Sequence, residues 1–184
     1  IGAIDVADEP GSPLAAYETH LLVLKDIALS GGAPAPYDSI MDYVMGKEGN
    51  LVMVNGQVNP VLAIRPGQVQ RWRIFNASTA RFYRLSLEGH SLNIIGTDGG
   101  LLDQPYPVSE ILVAPAERLD VLVQASPAAG SFRLLALPYD RGHELVPPQS
   151  CGAIRFHGSV TDGDGEPVRD VMLEIWQAAA DGTV

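Results

Sequence analysis

Hydrophobic and polar residues alternate with a period of two along much of this chain, which is typical of β-strands with one face in a core. The clearest case is residues 69–76, where Trp72 and Ile74 share one face and Arg71 and Arg73 share the other. One apolar face and one polar face favour an antiparallel sheet over a buried parallel one. The pattern therefore predicts an all-β fold.

The same type of pattern predicts further short strands. We expect them at residues 19–27, 51–54, 61–64, 82–88, 110–113, 118–125 and 131–137. Both faces of residues 19–27 are apolar, which predicts a central or covered strand. Turn residues such as Asn55-Gly56 and Arg65-Pro66-Gly67 separate these segments. Short strands at this spacing indicate a β-sandwich with Greek-key links.

Two stretches do not show this alternation. Residues 30–49 contain Gly31, Gly32, Pro34 and Pro36, so we expect an irregular loop with one short helical turn between Tyr37 and Gly46. Residues 101–108 contain two prolines, and we interpret them as a connection.

The composition changes after residue 142. Residues 138–150 are rich in proline, which indicates a boundary. Beyond it, residues 153–160 and 168–177 are predicted strands joined by a tight acidic turn. We therefore divide the chain into a sandwich domain at residues 1–142, a linker at 143–151 and a β-hairpin segment at 152–184.

Composition and charge exclude several classes of function. The net charge of −10, with only 12 Lys and Arg among 184 residues, argues against nucleic-acid binding. No apolar run is long enough for a membrane helix, so we expect no membrane partner. No signal peptide is visible, and the chain starts at Ile1 without Met. We expect a fragment or a processed piece of a longer protein.

The residues that could bind a metal are few and scattered. They are His20, His90, His143, His157 and Cys151, and no two histidines form a His-x-His pair. His90 shares a face with apolar residues, which is more typical of a hydrogen-bonded structural histidine than of a ligand. No cation or histidine adjoins Cys151, so we interpret it as an inert buried thiol that has no disulfide partner in this chain.

Other motifs give weaker signals. Asn76-Ala77-Ser78 is formally a glycosylation acceptor. Asp162-x-Asp164-x-Glu166 has some features of a calcium loop, but Pro167 stands where that loop needs glycine, and a turn is the better interpretation. No Gly-x-Ser-x-Gly or Cys-x-x-Cys motif occurs, so hydrolase and zinc-ribbon functions have no support.

An ordered set of short motifs resembles the middle cupredoxin domain of laccase-like multicopper oxidases. The set comprises Val54-Asn55-Gly56, Pro60, Arg65-Pro66-Gly67, Arg71–Asn76, Gly89-His90, Thr97–Gly100, Val113–Arg118 and Asp120–Val123. The resemblance covers residues 1–142 and implies a cupredoxin-like Greek-key β-sandwich. In that family the first and third domains supply the copper ligands, so copper is expected in the parent enzyme and none in this chain.

The resemblance also implies a function for the parent protein. That enzyme would couple substrate oxidation to the reduction of dioxygen to water, with neighbouring cupredoxin domains as the partners of this one. It implies a periplasmic or extracellular location. The sequence assigns no catalytic, cofactor-binding or metal-ligating residue to this chain, so we expect it to be inactive alone.

The last segment resembles a different family. Gly158-x-Val160-x-Asp162-Gly163-Asp164-Gly165, followed by Leu173–Ala178, is similar to the early hairpin of intradiol ring-cleavage dioxygenases. That resemblance implies ferric iron held by residues further downstream, with Trp176 and Gln177 as framework residues. Two alternatives to the copper-family hypothesis therefore stay open: a non-catalytic β-sandwich interaction module, and part of an aromatic-ring dioxygenase.

Overall fold

The computed structural model describes residues 3–141, together with the backbone of two short strands at residues 153–154 and 175–176. A 3-10 turn at Pro13–Ala16 precedes the first strand. The strands of the sandwich are β1 (Glu18–Ile27), β2 (Leu29–Ser30), β3 (Ala33–Pro34), β4 (Leu51–Val54), β5 (Val69–Asn76), β6 (Tyr83–Leu87), β7 (Leu92–Thr97), β8 (Gly100–Val108), β9 (Ile111–Val113), β10 (Arg118–Gln124) and β11 (Leu134–Leu137). This confirms the predicted all-β class.

Two sheets form the sandwich. The first has the strand order β4-β1-β5-β10-β7-β8. The second contains the neighbouring strands β11-β6-β9, with β9 at the edge. From β5 onward the chain passes repeatedly between them: β5 lies in the first sheet, β6 in the second, β7 and β8 in the first, β9 in the second and β10 in the first. This alternation is a Greek-key type of connectivity. The centre of the first sheet, at β1, β5 and β10, carries the charged face described below.

Pairing among the described strands is antiparallel with one exception. β5 pairs with β10 antiparallel but with β1 in parallel, matching Leu22 to Ile74. The expectation of a purely antiparallel sheet is therefore wrong at this position. Residues 28–68 connect β1 to β5, and a connection of that length permits the crossover that parallel strands require. As predicted, β1 is central, between β4 and β5.

The core lies between the two sheets and contains the residues that the alternation predicts. Trp72 and Ile74 from β5 are 2% and 1% exposed. The other core side chains include Leu22, Leu24, Tyr83, Leu85, Leu87, Leu119, Val121 and Val123. Every second residue of β5, β6 and β10 therefore points into the core. The remaining side chains of these strands lie on the outer faces of the sheets.

Two predicted elements differ in the structure. Residues 61–64 are not a strand, because none of the described strands pairs with them. The carbonyl of Ala63 instead accepts a hydrogen bond from the Gln70 side chain at 2.8 Å. Residues 101–108 belong to the edge strand β8 instead of forming a connection. Proline is tolerated on an edge strand because one side of that strand needs no hydrogen-bond donors.

The loop between β1 and β4 has more structure than the sequence predicts. β2 and β3 pair around Gly31 and Gly32, where the sequence predicts no regular element. The predicted helical turn is confirmed as α1, at Ile40–Met45. In the part of the chain that the structure describes, no helix is long and apolar enough to cross a membrane.

After the sandwich, residues 153–154 form β12 and residues 175–176 form β13. β12 pairs antiparallel with β11, and β13 pairs with β12, so both extend the second sheet. The predicted hairpin strands at 153–160 and 168–177 otherwise lie outside the described residues.

Candidate functional site

His90 lies in the turn between β6 and β7 and makes hydrogen bonds through both ring nitrogens. Its Nδ1 is 2.6 Å from the carbonyl oxygen of Glu88, and its Nε2 is 3.0 Å from the backbone nitrogen of Ser126. The N–H of Ser126 can only donate, so Nε2 is the acceptor and Nδ1 carries the proton. The ring packs edge-on against Phe132, with centroids 4.3 Å apart. This histidine fixes a turn.

His20 lies on β1, in a different part of the sandwich. Its Nε2 is 3.2 Å from Oε1 of Glu18, whose other carboxylate oxygen accepts a bond from Gln68. The hydrogen bond from Gln68 lowers the pKa of Glu18, and His20 lowers it further. The imidazole therefore belongs to a small surface network of polar side chains.

The donor groups of the described residues do not fit a copper centre. A blue-copper site needs two imidazoles and a thiolate. Residues 3–141 contain only His20 and His90 and no cysteine. Across the described residues, no cluster of three or more His, Cys, Asp or Glu could hold a metal ion. His143, Cys151, His157 and the acidic turn at residues 162–166 lie outside the described part of the chain.

The Asn76-Ala77-Ser78 motif is part of the core. The amide of Asn76 is fully buried and donates to the carbonyls of Arg81 and Val113 at 2.8 and 3.0 Å. Its Oδ1 accepts from the backbone of Ser78, whose hydroxyl lies 2.8 Å from that of Tyr83. A glycan has no access to this nitrogen in the folded chain. The motif is therefore structural.

The segment around α1 presents an unusual surface. Ser39 caps the helix by accepting from the backbone of Asp42, as is common at helix N-termini. Exposed apolar side chains cluster here, namely Tyr37, Ile40, Met41, Tyr43 and Val44. Lys47 holds the segment together, because its Nζ contacts the carboxylate of Asp42 at 2.9 Å and the carbonyl of Pro36 at 2.6 Å. Hydrogen bonding between Lys47 and Asp42 lowers the pKa of Asp42 and raises that of Lys47.

A buried ion pair anchors this segment to the sandwich. The guanidinium of Arg81 and the carboxylate of Asp26 are each 2% exposed and lie 3.0 Å apart. Gly49 joins them, because its N–H donates to Asp26 at 2.6 Å and its carbonyl accepts from Arg81 at 2.6 Å. Glu48 contacts both Arg81 and Arg141. The pattern of alternating residues did not indicate this network, since its members are distant in sequence.

On the outer face of the first sheet, the arginines of β5 are partnered by acidic side chains. Arg71 donates to the carboxylate of Asp120 of β10 from Nε, at 2.8 and 3.0 Å, and from Nη2, at 2.5 Å. Its Nη1 donates to Asp8 at 2.5 Å. Arg73 donates to Asp5 and to the carbonyl of Val6. The hydrogen bond from Arg71 to Asp120 is the main cause of the raised pKa of Arg71; burial opposes this shift, and Asp8 adds to it.

The alternation predicts a polar face at Arg71 and Arg73, but this face is not open to solvent at Arg71. Its side chain is only 3% exposed, because residues 3–8 cross over it. A cleft of about 710 Å³ lies between that segment and the sheet. Alternation predicted the face on which Arg71 lies, but gave no signal that a distant segment would cover it.

Two packed sheets, a Greek-key path and one shared apolar core define a cupredoxin-like β-sandwich. A family model described as multicopper oxidase matches residues 17–158. The chain belongs to the multicopper oxidase family.

Individual relatives agree with this assignment. The chain is 35% identical to a laccase of Bacillus subtilis over 109 residues, covering 59% of this chain and 21% of the laccase. It is 40% identical to the cell division protein FtsP of Xenorhabdus nematophila over 106 residues, covering 57% and 22%. A solved multicopper oxidase of Campylobacter jejuni, described as a metallo-oxidase, superposes with a TM-score of 0.67 at 28% identity over 90% of this chain and 34% of that one. The chain thus spans about a fifth of these curated relatives and a third of that structure.

Proposed function

We propose that residues 1–142 are the copper-free middle domain of a laccase-like multicopper oxidase. The observation that carries the proposal is the combination of family membership with the donor set: residues 3–141 supply two separated imidazoles, each already hydrogen bonded, and no thiolate. A domain of this family without such ligands has a structural role, which is to space the domains that carry copper. Residues 143–151 then act as a linker to the segment at 152–184.

The partners of this domain are the neighbouring cupredoxin domains of the parent protein. The exposed apolar side chains around α1 support this, because an exposed apolar cluster on a soluble domain marks a contact surface. The short coverage of the relatives also supports it, since most of each relative lies outside the match. We place the parent protein in the periplasm or outside the cell.

The parent reaction under this proposal is oxidation of a reducing substrate coupled to the reduction of dioxygen to water. The residues of this chain take no direct part in that chemistry. They hold the sandwich rigid through the core and through the Arg81–Asp26 pair.

Metal analysis of the purified chain tests the proposal. After incubation with cupric ion and removal of excess metal, we expect no stoichiometric copper and no intense blue absorbance. Stoichiometric type 1 copper with that absorbance would contradict a copper-free domain. Bound ferric iron with a tyrosinate charge-transfer band would instead favour the dioxygenase alternative for the C-terminal segment.

A second candidate is a parent protein of the FtsP type, which is named for cell division. The identity to FtsP, 40% over 106 residues, is as high as that to the laccase, 35% over 109 residues. The sandwich itself therefore does not separate the two parents. The flanking gene sequence does: a His-x-His pair upstream and a His-Cys-His run downstream support the oxidase, and their absence supports the second candidate.

A further inference from the structure

Residues 3–8 lie across the outer face of the first sheet without regular secondary structure. Apolar burial does not hold them there, because Ile4 is 94% exposed and Val6 is 70% exposed. Their two acidic side chains, in contrast, point toward the sheet and meet its arginines. The attachment of this segment is therefore mainly electrostatic.

Two arginines on neighbouring outward positions of β5 make the attachment. Arg71 contacts the carboxylate of Asp8 at 2.5 Å. Arg73 donates to the carboxylate of Asp5 and, at 2.8 Å, to the carbonyl of Val6. Asp120 accepts hydrogen bonds from the other side of the Arg71 guanidinium, so Arg71 has a second carboxylate partner that does not belong to the segment. Hydrogen bonds between charged partners are stronger than neutral ones, but they weaken with added salt where water reaches them.

The segment covers a substantial space. The cleft beneath it is about 710 Å³, and its floor includes Arg71, Arg73, Phe75 and Leu119. That volume is in the range of small-molecule sites. Moving the segment away would remove one wall of this cleft and expose the guanidinium of Arg71, which is now 3% exposed.

We propose that residues 3–8 form a strap latched by Arg71 and Arg73, and that rising ionic strength releases the strap as a unit and exposes Arg71. The side chains of Asp5 and Asp8 are 47% and 27% exposed, so ions reach both latches. The Debye length falls from about 10 Å at 0.1 M salt to about 3 Å at 1 M. The contact between Asp8 and Arg71 keeps Asp5 close to Arg73, and the reverse also holds. Loss of either contact therefore weakens the remaining one.

Arginine modification of the full chain tests the release. The chain is treated with phenylglyoxal at low salt and at about 1 M sodium chloride, and each arginine is quantified by mass spectrometry. We expect the modification rate of Arg71 to rise about three- to tenfold at high salt, as surface ion pairs of modest strength are lost. Arg65, which is exposed and does not line the cleft, reports the effect of salt on the reagent itself. Arg81, which is 2% exposed, reports general unfolding.

The variant Asp5→Asn tests release as a unit. Asp5 contacts Arg73 and not Arg71, yet we expect Asp5→Asn to increase modification of Arg71 at low salt. Glu110→Gln is the matched control, because it removes an exposed ion pair with Arg84 on the second sheet. We expect that control to leave Arg71 unchanged.

Each other outcome overturns the proposal. Arg71 that stays protected at high salt shows that the strap is not latched by charge. Arg71 that responds to salt but not to Asp5→Asn shows two independent contacts. Arg71 and Arg81 that become reactive together show loosening of the whole sandwich.

Discussion

At the scale of single residues, the buried polar groups are those that alternation along a strand could not predict. Asn76 closes the end of β5 by bonding three backbone groups at once, with Arg81 and Val113 as acceptors and Ser78 as donor. Buried carbonyls and amides need such partners because water cannot reach them. One amide side chain thus satisfies polar groups from two segments, the loop after β5 and strand β9.

Replacement of Asn76 by alanine should strongly destabilise the chain. Asn76→Ala leaves buried carbonyls and an amide without partners, and we expect a loss of about 2–4 kcal/mol in the free energy of unfolding. Denaturant titration measures it. Asn93→Ala is the control, since Asn93 is half-buried and makes one bond of 3.2 Å to the carbonyl of Leu122. Equal losses in the two variants would show that the three bonds of Asn76 stabilise the fold no more than the single bond of Asn93.

Gly49 provides a second test at this scale. A Cβ at residue 49 would overlap the backbone of Ile27, whereas one at Gly99 would find its nearest atom, Oγ1 of Thr97, at 3.9 Å. We expect Gly49→Ala to cost about 2–4 kcal/mol, because backbone cannot move aside without disturbing β1. Gly99→Ala should change the free energy of unfolding by less than about 0.5 kcal/mol. The same denaturant titration compares them, and a near-neutral Gly49→Ala would refute the close approach.

At the scale of elements, α1 depends on charge more than on packing. None of its residues is buried, and the ion pair between Lys47 and Asp42 closes the segment. The pKa of Asp42 lies below its ordinary value of 3.8 because Lys47 bonds its carboxylate. A depressed acid pKa means that the stabilisation is complete above the ordinary value and is lost as pH falls through the folded value.

We therefore expect the segment to loosen in acid before the sandwich does. Amide protection at residues 40–48, corrected for intrinsic exchange rates, should fall as pH drops below about 3.8, while amides of β5 stay protected. Asp42→Asn should show the loosened level already at neutral pH. Wild-type protection that does not change between neutral and acid pH would contradict this role of the ion pair.

The elements also show why prediction from sequence succeeded where it did. β5, β6 and β10 each have one face on the core, so their period of two predicts both the strand and the buried residues, such as Trp72, Leu85 and Val121. β8 was missed because all but its last residue are exposed and it contains two prolines, which removes the alternation. Residues 61–64 were predicted as a strand from their apolar residues and the turn that follows at Arg65-Pro66-Gly67, but none of the described strands pairs with them.

Side-chain contacts across the fold were less predictable than strands. The contacts of Arg71 with Asp120 and Asp8, and the Arg81–Asp26 pair, join residues that are 49 to 63 positions apart. No feature of the neighbouring sequence indicates these contacts. The motif at Asn76 was visible in sequence but pointed to a glycan. Its real role depends on Val113 and Tyr83, which only the packed fold brings near.

At the scale of the whole molecule, the Arg81 network joins parts that are far apart in the chain. Asp26 belongs to β1, Glu48 and Gly49 to the segment before β4, and Arg141 to the end of the sandwich. Arg141 also contacts the carbonyl of Met45 at 2.9 Å. The exposed apolar cluster at α1, our proposed contact surface for neighbouring domains, is therefore held in place by a charge network in the interior.

Breaking this network on one side should cost more than removing it from both sides. Arg81→Met leaves the carboxylate of Asp26 buried without its cation, and we expect a loss of about 3–5 kcal/mol. The double variant Arg81→Met with Asp26→Asn removes the unpaired charge while keeping an acceptor for the N–H of Gly49. We expect it to regain at least about 1 kcal/mol, which a double-mutant cycle by denaturant titration measures as coupling. Strictly additive losses would show that the two side chains stabilise the fold independently, and that the pair is not what connects α1 to the sandwich.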